Sequence, residues 1–529
     1  MKQDQLIEAK PDVVTRPSAL DAPAREVLSS LPDFAGANHA PSWKARAADW
    51  LSQAGAIGFA LIVLDAVAWV ALYALLVNVR RLYALEDPVT AAVLNHVTAG
   101  AGGFQVSVCV VQFAALALCL FIVGGYDRRA SYLSLGYMSE HLIALAAAGV
   151  LGGLLIYAGA VFNQSGIRPS RGVFLSSLVA FAPLSLVCRR GIGRMLRAHM
   201  ARSFLVVLGR GQAAWKFQES YRVDGEHQPK LCFVDPLQVS SEAFDLHDET
   251  PKRDSPGMAL EALAKLAEQS RGVVVIEDTA QLRPELLDWL SRLHYEELPV
   301  YTLETFHEKH WRRVAVDTIE ATWPWQTDSH LAGVSAYSHA KRLLDIVVAS
   351  AALLVLSPLF AALALLVRVD SGSPVLFCQQ RIGRDRRPFP LYKFRTMRVR
   401  APGEEGSLYT GTNDPRITRV GAWLRKLRLD ELPQLWNVLR GDMSLIGPRA
   451  EWDRLVDRYE KSIRFYHFRH LVKPGITGWA QVNYPYGANL EDTVQKLKYD
   501  LYYIRHYSLR LDAMIVLKTL HIMIWGKGQ

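Results

Sequence analysis

The sequence predicts a membrane protein with an N-terminal four-helix transmembrane bundle, a central α/β domain and a C-terminal α+β domain that carries a re-entrant membrane helix. Three observations predict it. Four apolar stretches crowd the first 200 residues. Composition turns soluble at Ser203, where short apolar runs begin to alternate with amphipathic ones. A fifth apolar run is broken at its middle by Ser357-Pro358, and the chain after it is rich in charge.

Half of the 529 residues are apolar and 21% are charged. The slightly positive mean hydropathy of +0.08 therefore reflects segregation along the chain. A formal net charge of +9 and a pI of about 9.2 call for anionic partners. Nucleic acid, anionic lipid and phosphorylated substrates all qualify, and the membrane segments favour the last two, so no nucleic acid partner is expected.

Residues 1–45 are polar, with Pro11, Pro17, Pro23 and Pro32 scattered through them. They read as a disordered cytoplasmic tail without a signal peptide. The membrane module follows over 46–200, with spans near 52–78, 102–125, 141–162 and 172–188. Each is long enough to cross a bilayer, which takes about 20 apolar residues. Asp65 is the internal carboxylate of the first span. Its plain reading is a side chain facing the bundle interior, and a proton or substrate path is the alternative. Lys44, Arg46, Arg128, Arg129, Arg189, Arg190, Arg194, Arg197 and Arg202 outnumber the cations of the opposite loops (Arg80, Arg81, Arg168, Arg171). By the positive-inside rule both ends of the module are cytoplasmic. The cysteines (Cys109, Cys119, Cys188, Cys232, Cys378) form no CxxC or Cys/His pattern. They read as small hydrophobes rather than a disulfide or metal framework.

Residues 201–325 alternate strand candidates with helical stretches. The strands are SFLVVLG, KLCFVD (230–235), GVVVIED (272–278) and LPVYTLE (298–304); the helices lie near 212–222, 257–270 and 281–294. That alternation predicts a parallel sheet. Gly209, Gly211 and Ala214 form a G-x-G-x-x-A pattern after the first strand. Asp235 comes late for a ribose-binding acid, so a tight strand–helix turn is preferred to a dinucleotide site.

A linker is expected over 326–340, then an apolar helix over 342–368 flanked by Lys341, Arg342 and Arg368. Proline at 358 removes a helical hydrogen bond and bends the helix. A helix that enters, bends and returns keeps the rest of the chain cytoplasmic. Within the C-terminal domain (341–529), strands near 375–382 and 389–395 form a hairpin around a basic turn. Arg384, Arg386 and Arg387 of the turn face solvent or lipid headgroups. Lys393 and Arg395, in the aromatic second strand, are candidates for a structural or a phosphate-binding role. Residues 416–429 read as a cationic amphipathic helix suited to the membrane interface, and 509–525 as a more apolar interfacial or packing helix.

The densest chemistry lies in LRLDELPQLWNVLRGDMSLIGPR (427–449). Neighbouring carboxylates Asp430 and Glu431 cannot share one helix face. With Asp430 as N-cap, Glu431 as N1 and Pro433 as N3, both reach one site, and free N–H groups favour an ionised Asp430 and a nearby phosphate. Seen alone, D-E-L-P is an ordinary cap. Arg425, Arg449, the broken helix upstream and the lack of a rival HExxH or Ser-His-Asp order argue for a site.

Residues 341–527 resemble the bacterial sugar transferase family, the monotopic polyprenyl-phosphate phosphoglycosyl transferases. The motifs are KRLLD (341–345), Ser357-Pro358, Gln379-x-Arg381-Ile-Gly383, YKFRTM (392–397), Asp414-Pro-Arg416, LDELPQLWNV (429–438), GDMSLIGPR (441–449) and KPGITGWAQVN (473–483). The module and α/β domain before them resemble the large members, whose central domain is similar to a Rossmann-like nucleotide-binding fold. The resemblance implies that Asp430 attacks a UDP-sugar, expels UMP and holds a phosphosugar that undecaprenyl phosphate then takes. It implies that Glu431 binds Mg²⁺ and that Arg425 and Arg449 bind phosphate. It also implies a homodimer in the bacterial inner membrane, with lipid contacts and an active site on the cytoplasmic face. Glucose or galactose is the favoured sugar. Arg428 stands where small hydroxyl residues are common, and Ala450 where proline is common. The loop 484–488 is a candidate lid. A glycosyltransferase releasing UDP and a non-enzymatic nucleotide-sensing membrane regulator are the competing readings.

Overall fold

The computed structural model describes residues 56–85, 88–127, 132–162, 171–200, 203–224, 229–237, 239, 260–268, 270–276, 282–295, 298–316, 336–398, 414, 416–484 and 489–525. The tail over 1–45, residues 326–335 of the linker and residues 485–488 of the candidate lid lie outside them. The described chain divides into two compact units: Met200–Val300, and Ala47–His199 together with Tyr301–Gln529.

The first unit holds a four-stranded sheet in the order β2-β1-β3-β4, with β1 Phe204–Leu208, β2 Lys230–Val234, β3 Val273–Val275 and β4 Val300–Thr302. Strand β1 pairs in parallel with β2 and with β3, as the alternation predicts. Helices α5 (Gly211–Asp224), α6 (Leu260–Glu268) and α7 (Pro284–Tyr295) connect the strands. Leu263, Leu266, Leu286 and Leu290 pack on Val206, Leu208 and Val273 to form the core. A Cβ on Gly209 would stand 2.9 Å from Cβ of Ile276, so the first glycine of the pattern permits a close chain crossing. Asp235 closes its own turn by accepting from the N–H of Leu237 at 3.0 Å. Both observations fit the tight-turn reading.

In the second unit, α1 (Ala56–Leu85), α2 (Pro88–Val123), α3 (Leu135–Phe162) and α4 (Arg171–Met200) each contain a segment long and apolar enough to cross a membrane. Their outward faces are apolar: Phe59, Val67, Leu154 and Val179 are all exposed. Polar side chains turn inward, as bundles facing hydrocarbon require. Asp65 is buried and accepts from Arg189 at 2.9 and 2.7 Å, with Ser185 beside the pair. Its plain reading holds. Arg189, counted among the cations beyond the fourth span, is instead fully buried within α4, because the helix runs on to Met200. Cys119 and Cys232 are buried as expected, whereas Cys378 is exposed on the hairpin; all the cysteines are free.

Helix α8 (Ala336–Val355) starts inside the expected linker, and α9 (Ser357–Ser371) follows after a 64° bend. Ser357 Oγ donates to the carbonyl of Leu354 at 2.7 Å and Pro358 sits in the first turn of α9, where its missing N–H costs no bond. The hairpin forms from β5 (Leu376–Ile382) and β6 (Pro388–Phe394), antiparallel with Cys378 opposite Tyr392. After it come α10 (Arg419–Lys426), α11 (Gln434–Arg440), β7 (Ser444–Ile446), β8 (Glu451–Trp452), α12 (Asp453–Ser462), β9 (Gly475–Thr477), α13 (Trp479–Asn483), α14 (Leu490–Arg505) and α15 (Leu509–Trp525). Strand β8 extends the hairpin sheet, and β7 pairs in parallel with β9.

The predicted helix over 416–429 is shorter than its stripe. Ile417 bridges to Met397, Thr418 caps α10, and Arg428 is left-handed at φ 54°, which ends it. The stripe also divides: Leu424 is buried, while Trp423 and Leu427 are exposed. Helix α15 is a packing helix, set against α2 and α3. Residues 303–316, grouped by sequence with the α/β domain, belong to the second unit. Val314 and Val316 join the core of Tyr459, Tyr466, Leu497 and Ile515.

Candidate active site

The site is assembled from four short pieces of chain. In β6, alternation puts Phe389 and Leu391 into the core with Leu435, Val438 and Met443. Lys393 follows on the same face, past the end of that core, and its Nζ lies 3.0 Å from Oε1 of Glu431. Strand β7 runs into Gly447-Pro448-Arg449, and Nη2 of Arg449 donates to the same Oε1 at 3.2 Å. The Arg449 backbone is fixed from behind. Its carbonyl accepts from Nη2 of Arg469 at 2.9 Å, and Arg469 is itself paired with buried Asp500 at 2.9 Å.

The carboxylate pair is placed differently from the cap predicted by sequence. Leu429–Glu431 form a single 3₁₀ turn after left-handed Arg428, and α11 begins only at Gln434 with Pro433 as its cap residue. Asp430 is therefore not the N-cap. The reversal at Arg428 and the 3₁₀ turn, rather than a helix start, aim the two neighbours. Asn437 locks this arrangement to the sheet: its Nδ2 donates to the carbonyl of Pro390 at 2.7 Å and its Oδ1 accepts from the N–H of Tyr392 at 3.2 Å. At the far end of α11, Gly441 takes φ 95°, a conformation that side-chain-bearing residues avoid.

Asp430 and Glu431 are equally buried, each 8% exposed, yet their electrostatics diverge. Burial pushes the Asp430 carboxyl above its usual value; Lys393 opposes that, Glu431 adds to it, and Arg425 and Arg449 oppose it. Burial would raise Glu431 as well, but the charges of Lys393 and Arg449 and the Lys393 hydrogen bond outweigh it and hold the group well below the carboxylate range. Such divergence between paired carboxyls marks sites where two acids do different work.

Beside Lys393 and Arg449 opens a small pocket, lined also by Arg381, Leu391, Gln434, Met443, Ala450 and Gly475. Arg381 is a site residue that the motif Gln379-x-Arg381 signalled but sequence reasoning left in the basic hairpin. Its Nη1 donates to the carbonyl of Ala450 at 3.1 Å, and burial holds its pKa down. Of the predicted phosphate-binding residues, Lys393 and Arg449 meet at Glu431. Arg425, half-buried, reaches Asp430 through charge. Arg395 is buried, its Nη1 has no hydrogen-bond partner among the described residues, and it makes no ion pair with the dyad. Ser357 and Pro358 stand at the α8–α9 bend and not at the dyad.

No group of three or more His, Cys, Asp or Glu side chains converges to hold a metal among the described residues. The donor chemistry of the dyad is compatible with a hard cation of the Mg²⁺ kind. Such an ion takes one or two carboxylates and completes its shell with substrate phosphate oxygens and water.

A model of the family described as bacterial sugar transferase matches residues 336–526, a range that contains every residue lining this cavity. The chain is 43% identical over 240 residues to a UDP-N-acetylgalactosamine-undecaprenyl-phosphate N-acetylgalactosaminephosphotransferase of Aeromonas hydrophila, covering 45% of this chain and 56% of the relative. It is 44% identical over 194 residues to a UDP-glucose:undecaprenyl-phosphate glucose-1-phosphate transferase of Escherichia coli, covering 36% of this chain and 41% of the relative. These alignments thus span about half, or less, of such relatives. An exopolysaccharide production protein of Rhizobium leguminosarum is 42% identical over 194 residues and is covered over 97% of its length. With a relative this similar matched almost end to end, the chain belongs to the bacterial sugar transferase family.

Proposed function

We propose that the protein transfers a hexose-1-phosphate, with glucose or galactose favoured, from a UDP-sugar to undecaprenyl phosphate in an early membrane step of exopolysaccharide, capsule or O-antigen synthesis. The observation that carries the reading is the split character of the dyad. Glu431 is ion-paired with Lys393 and Arg449, whereas Asp430 is a buried carboxyl with no ion pair among the described residues, its pKa raised by burial against the charges of Lys393, Arg425 and Arg449.

In the first half-reaction an Asp430 oxygen forms a bond to the phosphorus next to the sugar. The bond from that phosphorus to the bridging oxygen breaks, and the oxygen leaves with its electron pair as part of UMP. In the second, an oxygen of undecaprenyl phosphate bonds to the same phosphorus and the Asp430 carboxylate departs. A carboxylate is a weak nucleophile, so the surrounding phosphate charge has to be neutralised. Lys393, Arg449 and Arg381 line the cavity where the diphosphate would sit, and Arg425 holds Asp430 toward its ionised form. Glu431 would hold Mg²⁺, which when bound supplies further neutralisation of the diphosphate.

The membrane parts fit this reading. Helices α8 and α9 present Leu343, Val347, Leu354, Val355, Leu365 and Val369 outward on both sides of their bend. We read them as one re-entrant element that keeps the site at the cytoplasmic face of the inner membrane. The four apolar helices anchor it, and the parallel-sheet domain is read as Rossmann-like, with homodimerisation through the N-terminal parts.

The test is a product assay with a panel of UDP-glucose, UDP-galactose and UDP-N-acetylgalactosamine plus undecaprenyl phosphate. UMP is the expected product, with a phosphosugar mass added to Asp430 when the acceptor is withheld. Asp430→Asn is expected to lose both by three or more orders of magnitude. Release of UDP, or full turnover by Asp430→Asn, rejects the mechanism.

A further inference from the structure

A second cleft lies apart from the dyad. It is an open cleft whose lining includes Lys341, Arg342, Asp345, Arg384, Lys473 and Tyr507. Helix α11 separates the two places. The dyad sits just before its N-terminus, and Arg342 donates to the carbonyls of Val438 and Leu439 at its other end at 2.6 and 2.9 Å. Seven residues of helix span roughly 10 Å.

Four cationic side chains face one carboxylate across this cleft. Lys341 is neutralised within the fold by Asp512, which also binds Tyr503. Asp345 is engaged in turn by the N–H of Leu445 at 3.1 Å. That leaves Arg342, Arg384 and Lys473. Among the described residues Arg342 is met by helix-end carbonyls, and Arg384 by its exposed neighbour Asp385 at 3.6 Å. Lys473 makes no hydrogen bond or ion pair among the described residues, although it is half-buried. Burial depresses its pKa and the positive charges of Arg342 and Arg384 add to that, while the carboxylates of Asp345 and Asp442 oppose it. Three cations against one carboxylate lining the cleft, with one lysine that forms no ion pair, are an arrangement that an anion completes. The cleft opens at the first turns of α8, whose next outward residues, Leu343 and Val347, are exposed and apolar.

We propose that this cleft is a second anion site that binds a phosphate group through Lys473, Arg384 and Arg342, separate from the site of chemistry. The phosphate can belong to a lipid headgroup, whose chains would lie along the apolar face of α8, or to a soluble phosphate. The inference does not depend on the proposed reaction, because binding is read without a sugar donor.

The experiment uses the full chain carrying Arg449→Gln, which disables the dyad pocket as a competing anion site. One arm places it in nanodiscs of phosphatidylglycerol and phosphatidylcholine and counts retained lipids by native mass spectrometry. The other titrates inorganic pyrophosphate into the protein in a zwitterionic detergent and follows the ³¹P resonance. Saturable one-to-one binding is expected in at least one arm, weakened tenfold or more by Lys473→Gln with Arg384→Gln and kept by Lys473→Arg. Selective retention of phosphatidylglycerol assigns a lipid source; pyrophosphate binding without it assigns a soluble one. The proposal is overturned by absence of saturable binding in both arms, by affinities that the Gln pair leaves unchanged, or by Lys473→Arg losing binding as Gln does while melting like the parent.

Discussion

Asp430 shows how much one carboxyl depends on its neighbours. The proposed reaction requires it ionised, and burial works against that while Lys393, Arg425 and Arg449 work for it. The acid limb of the kcat/KM profile should therefore lie above the ordinary aspartate value of 3.8, and Arg425→Gln should move it further up, with Arg425→Lys close to wild type. A limb that stays put in Arg425→Gln would show that Arg425 does not act through Asp430. Glu431 carries the opposite sign. Its folded pKa is depressed, so its ion pairs stabilise the fold fully above the unfolded value of 4.5 and lose that contribution as pH falls below it. In Glu431→Gln the melting temperature should thus depend less steeply on pH on the acid side, measured by thermal denaturation in detergent between pH 3 and 6 (roughly the window of carboxyl titration).

At the scale of elements, what was legible followed from local pattern. Long apolar runs gave α1 to α4, two strand candidates around a basic turn gave the β5–β6 hairpin, and Ser357-Pro358 gave the break between α8 and α9. The Asp430 cap was misplaced because the backbone reverses at Arg428, a residue with no intrinsic taste for φ 54°. The contacts around it, Leu424 in the core with Leu363, Val367 and Phe394 and Asn437 on the carbonyl of Pro390, are not written in adjacent letters. Arg189 was misassigned for a related reason: a cation at the end of an apolar run looks like a loop charge until its distant partner, Asp65, is placed. Gly441 ends α11 and has a second role that the sequence did not signal. A Cβ there would stand 3.1 Å from Nη2 of Arg342, on top of the strain of φ 95°. Gly441→Ala should cost about 1–2 kcal/mol, seen as a lower melting temperature. It should also loosen the hold of Arg342 on the end of α11. A melting temperature equal to wild type would refute that role.

At the scale of the molecule, the rim of the membrane module and the C-terminal domain are joined by charge and rings. Asp127 after α2 pairs with Arg312 at 2.6 Å, Arg510 lies 4.2 Å over the ring of Phe121, and Lys518 approaches Glu140 at 3.6 Å. Arg312 also offers its carbonyl to the indole N–H of Trp479 at 3.0 Å, which ties α13 to the same junction. Arg312 and Asp127 are each about a quarter exposed, so solvent screens the pair. A double-mutant cycle with Arg312→Ala and Asp127→Ala should give a coupling energy of about 1 kcal/mol in thermal stability. Strict additivity would mean that the junction rests on its apolar contacts alone.

The grip of Lys393 and Arg449 on Glu431 has a consequence for how a substrate is weighed. A diphosphate entering the pocket does not meet bare cations; it exchanges with a carboxylate already holding them. Its affinity is then a difference between two ion pairings, and added salt weakens both sides of the exchange. Donor binding should accordingly change less with ionic strength than the number of cations in the pocket suggests. Cutting the internal partner away, as in Glu431→Gln, should make it steeper.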